Sequence, residues 1–231
     1  MKSAFIILGI IFMILITSCS GDKSINTIPE KGKSDNGQTD NGTVRIGTQI
    51  WMTKNLDVDH YLNGDPIPQV TDPDEWANLT TGAWCYYKND PAYGAIYGKI
   101  YNWYAINDPR GLAPSGYRIP TIEDWDLLIN HLSGDKLAGG KLKETGTVHW
   151  EIPNLNASNS SGFTALPGGY RSFFGSFGGL GTTCDIWAYD NQGTAKIWDI
   201  YVHNDKSYIV RDSVSKNDGL AVRCISILPA H

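Results

Sequence analysis

The chain has 231 residues, a formal net charge of −5 at pH 7, and 41% hydrophobic and 11% aromatic residues. With no run of Lys or Arg, that mild acidity leaves no electrostatic footprint for nucleic acid or an anionic membrane surface. The four cysteines show no Cys-x-x-Cys or Cys/His spacing, so no zinc site is read from the sequence.

The N-terminal stretch reads as a leader. Lys2 supplies the positive start and Ala4 to Ile16 is an apolar run of 13 residues, too short to span a bilayer as a helix and laid out as a secretory signal. Ile16-Thr17-Ser18-Cys19 resembles the bacterial lipobox, which implies a signal peptide over 1–18 and a lipidated Cys19 (palmitate and related acyl chains) as the new N-terminus. Ser20, where an Asp would mark inner-membrane retention, points by the same resemblance to the outer membrane. Residues 20–43 hold no aromatic and only Ile25 and Ile28 as large apolar residues. They cannot bury enough surface to offset ordering, and 19–43 is expected to be a flexible tether with a reach of about 25–30 Å.

All eight Trp, all twelve Tyr and four of the six Phe follow, which places one domain over 44–228. Val44 to Leu56 reads as two short strands around Gly47-Thr48. Asp57 to Pro68 is a loop whose Asp57, Asp59, Asn63 and Asp65 suggest calcium, but the twelfth position counted from Asp59 is Val70, where a carboxylate is needed. A solvated turn is the better reading, and no cofactor or metal is expected. Thr71 to Trp76 reads as a capped helical turn, Ala83 to Tyr87 as a strand, and Asn89-Asp90-Pro91 as a turn. Tyr93 to Ala105 packs aromatics closely, with Gly94 and Gly98 allowing close backbone approach.

The clearest element follows Pro120. Thr121 is placed to cap, Asp124 to reach back to it, and Ile122, Trp125, Leu128, Ile129 and Leu132 recur at helical spacing before Ser133-Gly134 ends the helix. Leu137 to Gly146 is a short element, Gly162 to Tyr170 a strand running into a tight turn, and Ser172 to Thr183 a glycine-rich loop. Strands are expected near 186–189, 197–202 and 208–210, with a last one over 220–225. Of the cysteines after Cys19, one must stay unpaired. The strand-like contexts of Trp84-Cys85-Tyr86 and Val222-Arg223-Cys224-Ile225 point to a Cys85–Cys224 disulfide in an oxidising compartment.

Five segments occur in a set order: Trp51-Met52-Thr53-Lys54-Asn55-Leu56, Tyr97-Gly98-Lys99-Ile100-Tyr101-Asn102-Trp103, Pro114-Ser115-Gly116-Tyr117-Arg118-Ile119-Pro120-Thr121, Gly162-Phe163-Thr164-Ala165-Leu166-Pro167-Gly168-Gly169-Tyr170-Arg171 and Gly219-Leu220-Ala221-Val222-Arg223-Cys224. Together they resemble the Fibrobacter succinogenes major paralogous domain over 44–226. The third segment, with Trp125, more distantly resembles formylglycine-generating-enzyme-like domains. That resemblance implies an α+β, C-type-lectin-like fold: a twisted antiparallel sheet, few helices, long loops, and N- and C-terminal strands lying together. Cys184-Asp185-Ile186-Trp187-Ala188-Tyr189-Asp190 departs from the Trp pair and Ser-Ser-Thr-Glu of many relatives, and the closely spaced cysteine pair of formylglycine chemistry is missing.

No Gly-x-Ser-x-Gly elbow is present, the five His are scattered, and pairs such as Glu123/Asp124 are explained by helix capping. A non-catalytic binding or adhesion module of the cell envelope is the resulting expectation, ahead of a surface protein without a ligand and of a carbohydrate-active or formylglycine-type enzyme. Its partner would be a glycan or protein. Lectin-like folds bind through long loops, and Trp187, Tyr189, Asp190, Asn191, Trp198, Tyr201, His203, Asn204, Asp205 and Tyr208 combine wide aromatic contact with adaptable hydrogen bonds.

Overall fold

The computed structural model describes residues 37–39, 42–190 and 197–228. The leader, Cys19 and Asn191 lie outside the described residues. The first strand, β1 (Gly37–Thr39), falls inside the stretch expected to be tether and pairs with β2 (Thr43–Ile46). Next come β3 (Gln49–Met52), α1 (Pro73–Ala77), β4 (Trp84–Cys85), α2 (Pro91–Tyr97), β5 (Ile100–Asn102), α3 (Trp103–Ile106) and β6 (Tyr117–Arg118). They lead into α4 (Ile122–His131), α5 (Asp135–Leu142), β7 (Gly168–Arg171), β8 (Phe177–Leu180) and β9 (Thr183–Ala188). The chain closes with β10 (Trp198–His203), β11 (Ile209–Ser213), β12 (Gly219–Leu220) and β13 (Ile225–Ser226).

The strands form three sheets, ordered β1-β2-β3-β13-β6, β4-β5-β12-β7-β8 and β9-β10-β11, and every ladder between named strands is antiparallel. The architecture is α+β with few helices. Near-terminal strands do lie together, Ile225 facing Trp51 across β13 and β3.

The helix α4 begins as its sequence dictates. Thr121 accepts from the Asp124 amide, and the Asp124 carboxylate accepts from the Thr121 amide at 2.7 Å, a reciprocal capping box. Arg118, at the end of β6, clamps the same carboxylate, so strand and helix start are fixed by one side chain. The helix ends where Ser133 and Gly134 take positive φ and the Gly134 amide donates to Ile129 O at 2.8 Å. Its apolar stripe does not lie against a single sheet. It packs in one cluster with Val44, Ile46 and Trp51 of the first sheet and with Cys184, Ile186, Ile200, Val202 and Ile209 of the third. Trp51, Trp125 and Phe163 meet there with centroids 4.9–5.8 Å apart, each such pair contributing about 0.5–1.5 kcal/mol beyond area burial.

Several sequence expectations change. Asn89-Asp90-Pro91 is a helix start and not a free turn: Asp90 caps α2 by accepting from the Ala92 amide, with Pro91 at the first helical position. Residues 162–167 alternate buried and half-buried as a strand would, yet Gly162 and Thr164 take φ of 73° and 55°, which breaks the ladder so that β7 starts only at Gly168. The glycine-rich segment is only partly loop. It contains β8, paired with β7 in a hairpin. The expected last strand is two strands in two sheets, because its hydrogen-bond partner changes along the run: Ala221 bonds with Asp185 and Trp187, Val222 with Leu56, and Cys224 with Met52.

The expected disulfide is absent. Cys85, Cys184 and Cys224 are free and buried. Cys85 packs with Val70 and Trp76, while Cys224 packs with Tyr101 and Trp187 in a different cluster. Burial pushes both thiols up to about 12, so neither is a ready nucleophile.

Candidate functional site

The described residues expected to form a C-terminal binding face do not all reach the surface. Trp187 is fully buried and donates its indole N–H to Tyr101 O at 2.7 Å, which makes it a core residue. Strand parity splits the others, since side chains alternate along β10: Trp198 turns with Ile200 and Val202 toward the first core, whereas Tyr201 and His203 share the opposite face with Asp199. Asn204 is buried and structural, donating to Glu151 O and Ile152 O. His203 pairs with Asp205 at 2.6 Å. Tyr189 and Tyr208 are exposed and Asp190 is half-buried. Tyr189 is pinned by its backbone to the start of α4, between Pro120 O and the Ile122 amide.

A different set of residues does converge. Thr53, Lys54, Asn55, Ile96, Asn159, Gly162, Thr164, Leu166 and Arg223 line a cleft of about 320 Å³. The segment after β3 runs beside the segment before β13, held by the Met52 amide to Cys224 O and the Leu56 amide to Val222 O. That pairing sets Asn55 against Arg223. Asn55 Oδ1 accepts from Arg223 Nε at 3.0 Å and Nη2 at 2.8 Å, while Asn55 Nδ2 donates to Tyr97 O at 2.9 Å. Arg223 Nη1 donates to Phe163 O, and the guanidinium lies 4.4 Å from the Phe163 ring centroid. The aromatic core beneath α4 thus supports the cation that floors the cleft.

The segment beside it is strained. Thr164 is β-branched yet sits at φ 55°, with Asn159 at 48° and Gly162 at 73° nearby. A β-branched residue there costs of order 1–3 kcal/mol and persists only where its surroundings impose it. Asn159 does so by accepting from the Thr164 amide and donating to its hydroxyl, both at 2.9 Å.

Arg223 has no carboxylate partner among the described residues, and burial pulls it down to about 10, still charged at neutral pH. The same device recurs. Arg171 is buried against Val70, Thr71, Asp72 and Gly175 carbonyls and stacks on Trp76 and Phe177. Lys143 donates to the carbonyls of Leu155, His203 and Lys206. Backbone oxygens satisfy these cations and the long loops are tied to the core in return. Single cations embedded in apolar text, as in Ala-Val-Arg-Cys and Gly-Gly-Tyr-Arg, were the available sequence signal.

The third sheet hides a carboxyl pair. Asp185 on β9 and Asp199 on β10 are each 5% exposed. Burial pushes Asp185 up to about 6, and burial with repulsion from Asp185 raises Asp199 well above the carboxylate range. Asp199 Oδ1 is buried without a hydrogen-bond partner. A proton held on Asp199 gives this pair a donor where two anions have none.

The acidic loop of 57–65 is internally paired: Asn63 bonds with Asp65, and Arg110 bridges Asp65 and Asp108. Among the described residues no group of three or more His, Cys, Asp or Glu is arranged to hold a metal, and no helix is long and apolar enough to cross a membrane. Residues 44–226 match the family described as the Fibrobacter succinogenes major domain. None of the curated proteins and none of the solved structures matches the chain.

Proposed function

The chain belongs to the Fibrobacter succinogenes major domain family, and from that premise we propose that it is a non-catalytic binding module of the cell envelope, tethered to the outer membrane by acyl chains on Cys19. The observation that carries this reading is the cleft itself. Three of the five ordered segments, those containing Thr53 to Asn55, Gly162 to Leu166, and Arg223, meet in one concave site. Its polar side chains are hydroxyls, amides and cations, groups that hold a ligand rather than relay protons. The Asp185/Asp199 pair, being buried, is out of reach of a substrate. A C-type-lectin-like architecture belongs to the same proposal, supported by the β3–β13 closure and the long loops carried on few helices.

A ligand that binds only the folded state raises the melting midpoint. Thermal melts of the full chain against a panel of acidic and neutral glycans, peptidoglycan fragments and peptides test the proposal. Lys54→Glu should remove any shift that the native chain gives. A panel without a single shift favours a structural surface protein.

A further inference from the structure

We infer that the cleft floored by Arg223 takes a carboxylate-bearing sugar, one hexuronate residue of an acidic glycan. The inference rests on the binding-module reading and names the ligand class of that same site. The chain as a whole is acidic, at −5, but the cleft inverts that sign: its lining holds Lys54 and Arg223 and no Asp or Glu. A buried guanidinium faced only by neutral acceptors leaves a positive potential in a concave, partly desolvated site, where an anion gains most.

The two cations are placed differently and complement each other. Arg223 is 1% exposed and fixed by Asn55, Phe163 O and, at 3.5 Å, Thr164 O. Those bonds engage Nε, Nη1 and Nη2, and with one bond at Nη2 a second hydrogen of the fork has no acceptor among the described residues. Lys54 is exposed and has no hydrogen-bond or ion-pair partner among the described residues. The first is a rigid, preorganised charge. The second is an exposed ammonium on the same lining.

The remaining lining selects a sugar ring over other carboxylates. Ile96 and Leu166 supply apolar wall for ring C–H groups. Thr53 Oγ1 donates to Gly42 O and Asn159 Nδ2 to Thr164 Oγ1, so these side chains are held in place and meet ring hydroxyls with the lone pairs and the second amide hydrogen that remain. An acidic peptide side chain has no hydroxyls to place against them. At about 320 Å³ the cleft lies near the low end of ligand sites, which run from about 300 to 1,000 Å³. That is room for a single ring.

The test is calorimetric titration of the full chain with galacturonate and glucuronate trimers, their methyl esters, a sulfated neutral trisaccharide, and an Asp/Glu tripeptide. The expected result is that one uronate trimer binds, and that its methyl ester and the Lys54→Glu variant each weaken binding at least tenfold. Lys54→Glu should leave the ligand-free melt unchanged, and Tyr208→Ala should bind like the native chain. The inference is overturned if the ester binds as well as the acid, if Lys54→Glu binds normally, or if the sulfated sugar or the tripeptide binds in preference. A neutral glycan binding in this cleft overturns the uronate assignment and keeps the binding-module reading. Silence of both uronates alongside a shift from another ligand in the wider melting panel does the same, and silence of every ligand counts against both.

Discussion

Arg223 shows how one buried charge shapes both fold and site. Its guanidinium collects Asn55 and the Phe163 and Thr164 carbonyls from chain segments far apart in sequence. Arg223→Met should cost about 3–5 kcal/mol in urea unfolding, since it strands the buried Phe163 carbonyl and the part-buried Asn55 amide oxygen that the guanidinium holds. Thr164 makes the opposite case. Replacing it with Gly relieves a strained φ of 55° but removes a rim hydroxyl, so Thr164→Gly should match or exceed native stability by up to about 1 kcal/mol while weakening ligand binding. The Asp185/Asp199 pair adds a pH signature. Asp185 rises from 3.8 to about 6 on folding and Asp199 rises well above 3.8, so the native state binds more protons than the unfolded chain between those values. Stability from the pair is fully present below about pH 4, declines as pH rises through the folded values, and stays lost above them. Asp199→Asn should therefore equal the native chain in denaturant melts at pH 4 and exceed it by about 1–3 kcal/mol at pH 8.

Elements were legible in proportion to how locally their signals close. The signals that cap, stripe and stop α4 lie within Thr121 to Gly134 and hold in the structure, whereas the stripe packs against two sheets and not one. Thr121→Ala should cost about 1 kcal/mol by removing the cap, read as a lower melting midpoint. The signals for α2 were equally local, an Asp cap and a first-position Pro, but Asp-Pro also opens turns and seven residues carry too few turns to show a stripe. The β7–β8 hairpin was hidden by its own glycines. Gly169 takes φ 65°, and a Cβ there would lie 2.2 Å from Gly178 O, so what reads as loop composition is what lets two strands approach. Gly169→Ala should lower stability sharply, with the loss seen first as exchange of the Gly168–Arg171 amides.

At the scale of the molecule, sequence reading recovers the α+β class and the closure of β3 on β13, but not the division into three sheets. Strand text records that a segment is extended and which residues alternate. It does not record which neighbour each residue faces, and residues 219–226 change neighbours almost residue by residue. The same limit misplaced the cysteine pair, read as one bridge from two strand-like contexts that belong to different clusters. It also grouped as one face residues that folding separates. Aromatic and amide content drew attention to 187–208, where Trp187 and Asn204 serve the interior and Trp198 and Tyr201 leave β10 on opposite sides. The cleft is built from Thr, Asn, Lys and Arg scattered over three segments, whose common destination is visible only after folding.

The most direct test of the cleft as a uronate site is an amide chemical-shift map of the isotope-labelled chain titrated with the uronate trimer that binds in calorimetry. The largest shifts are expected at Thr53 to Asn55, Asn159 to Leu166 and Arg223, with Tyr189, Tyr201 and Tyr208 unmoved. Shifts centred on those tyrosines, with the cleft silent, would contradict it.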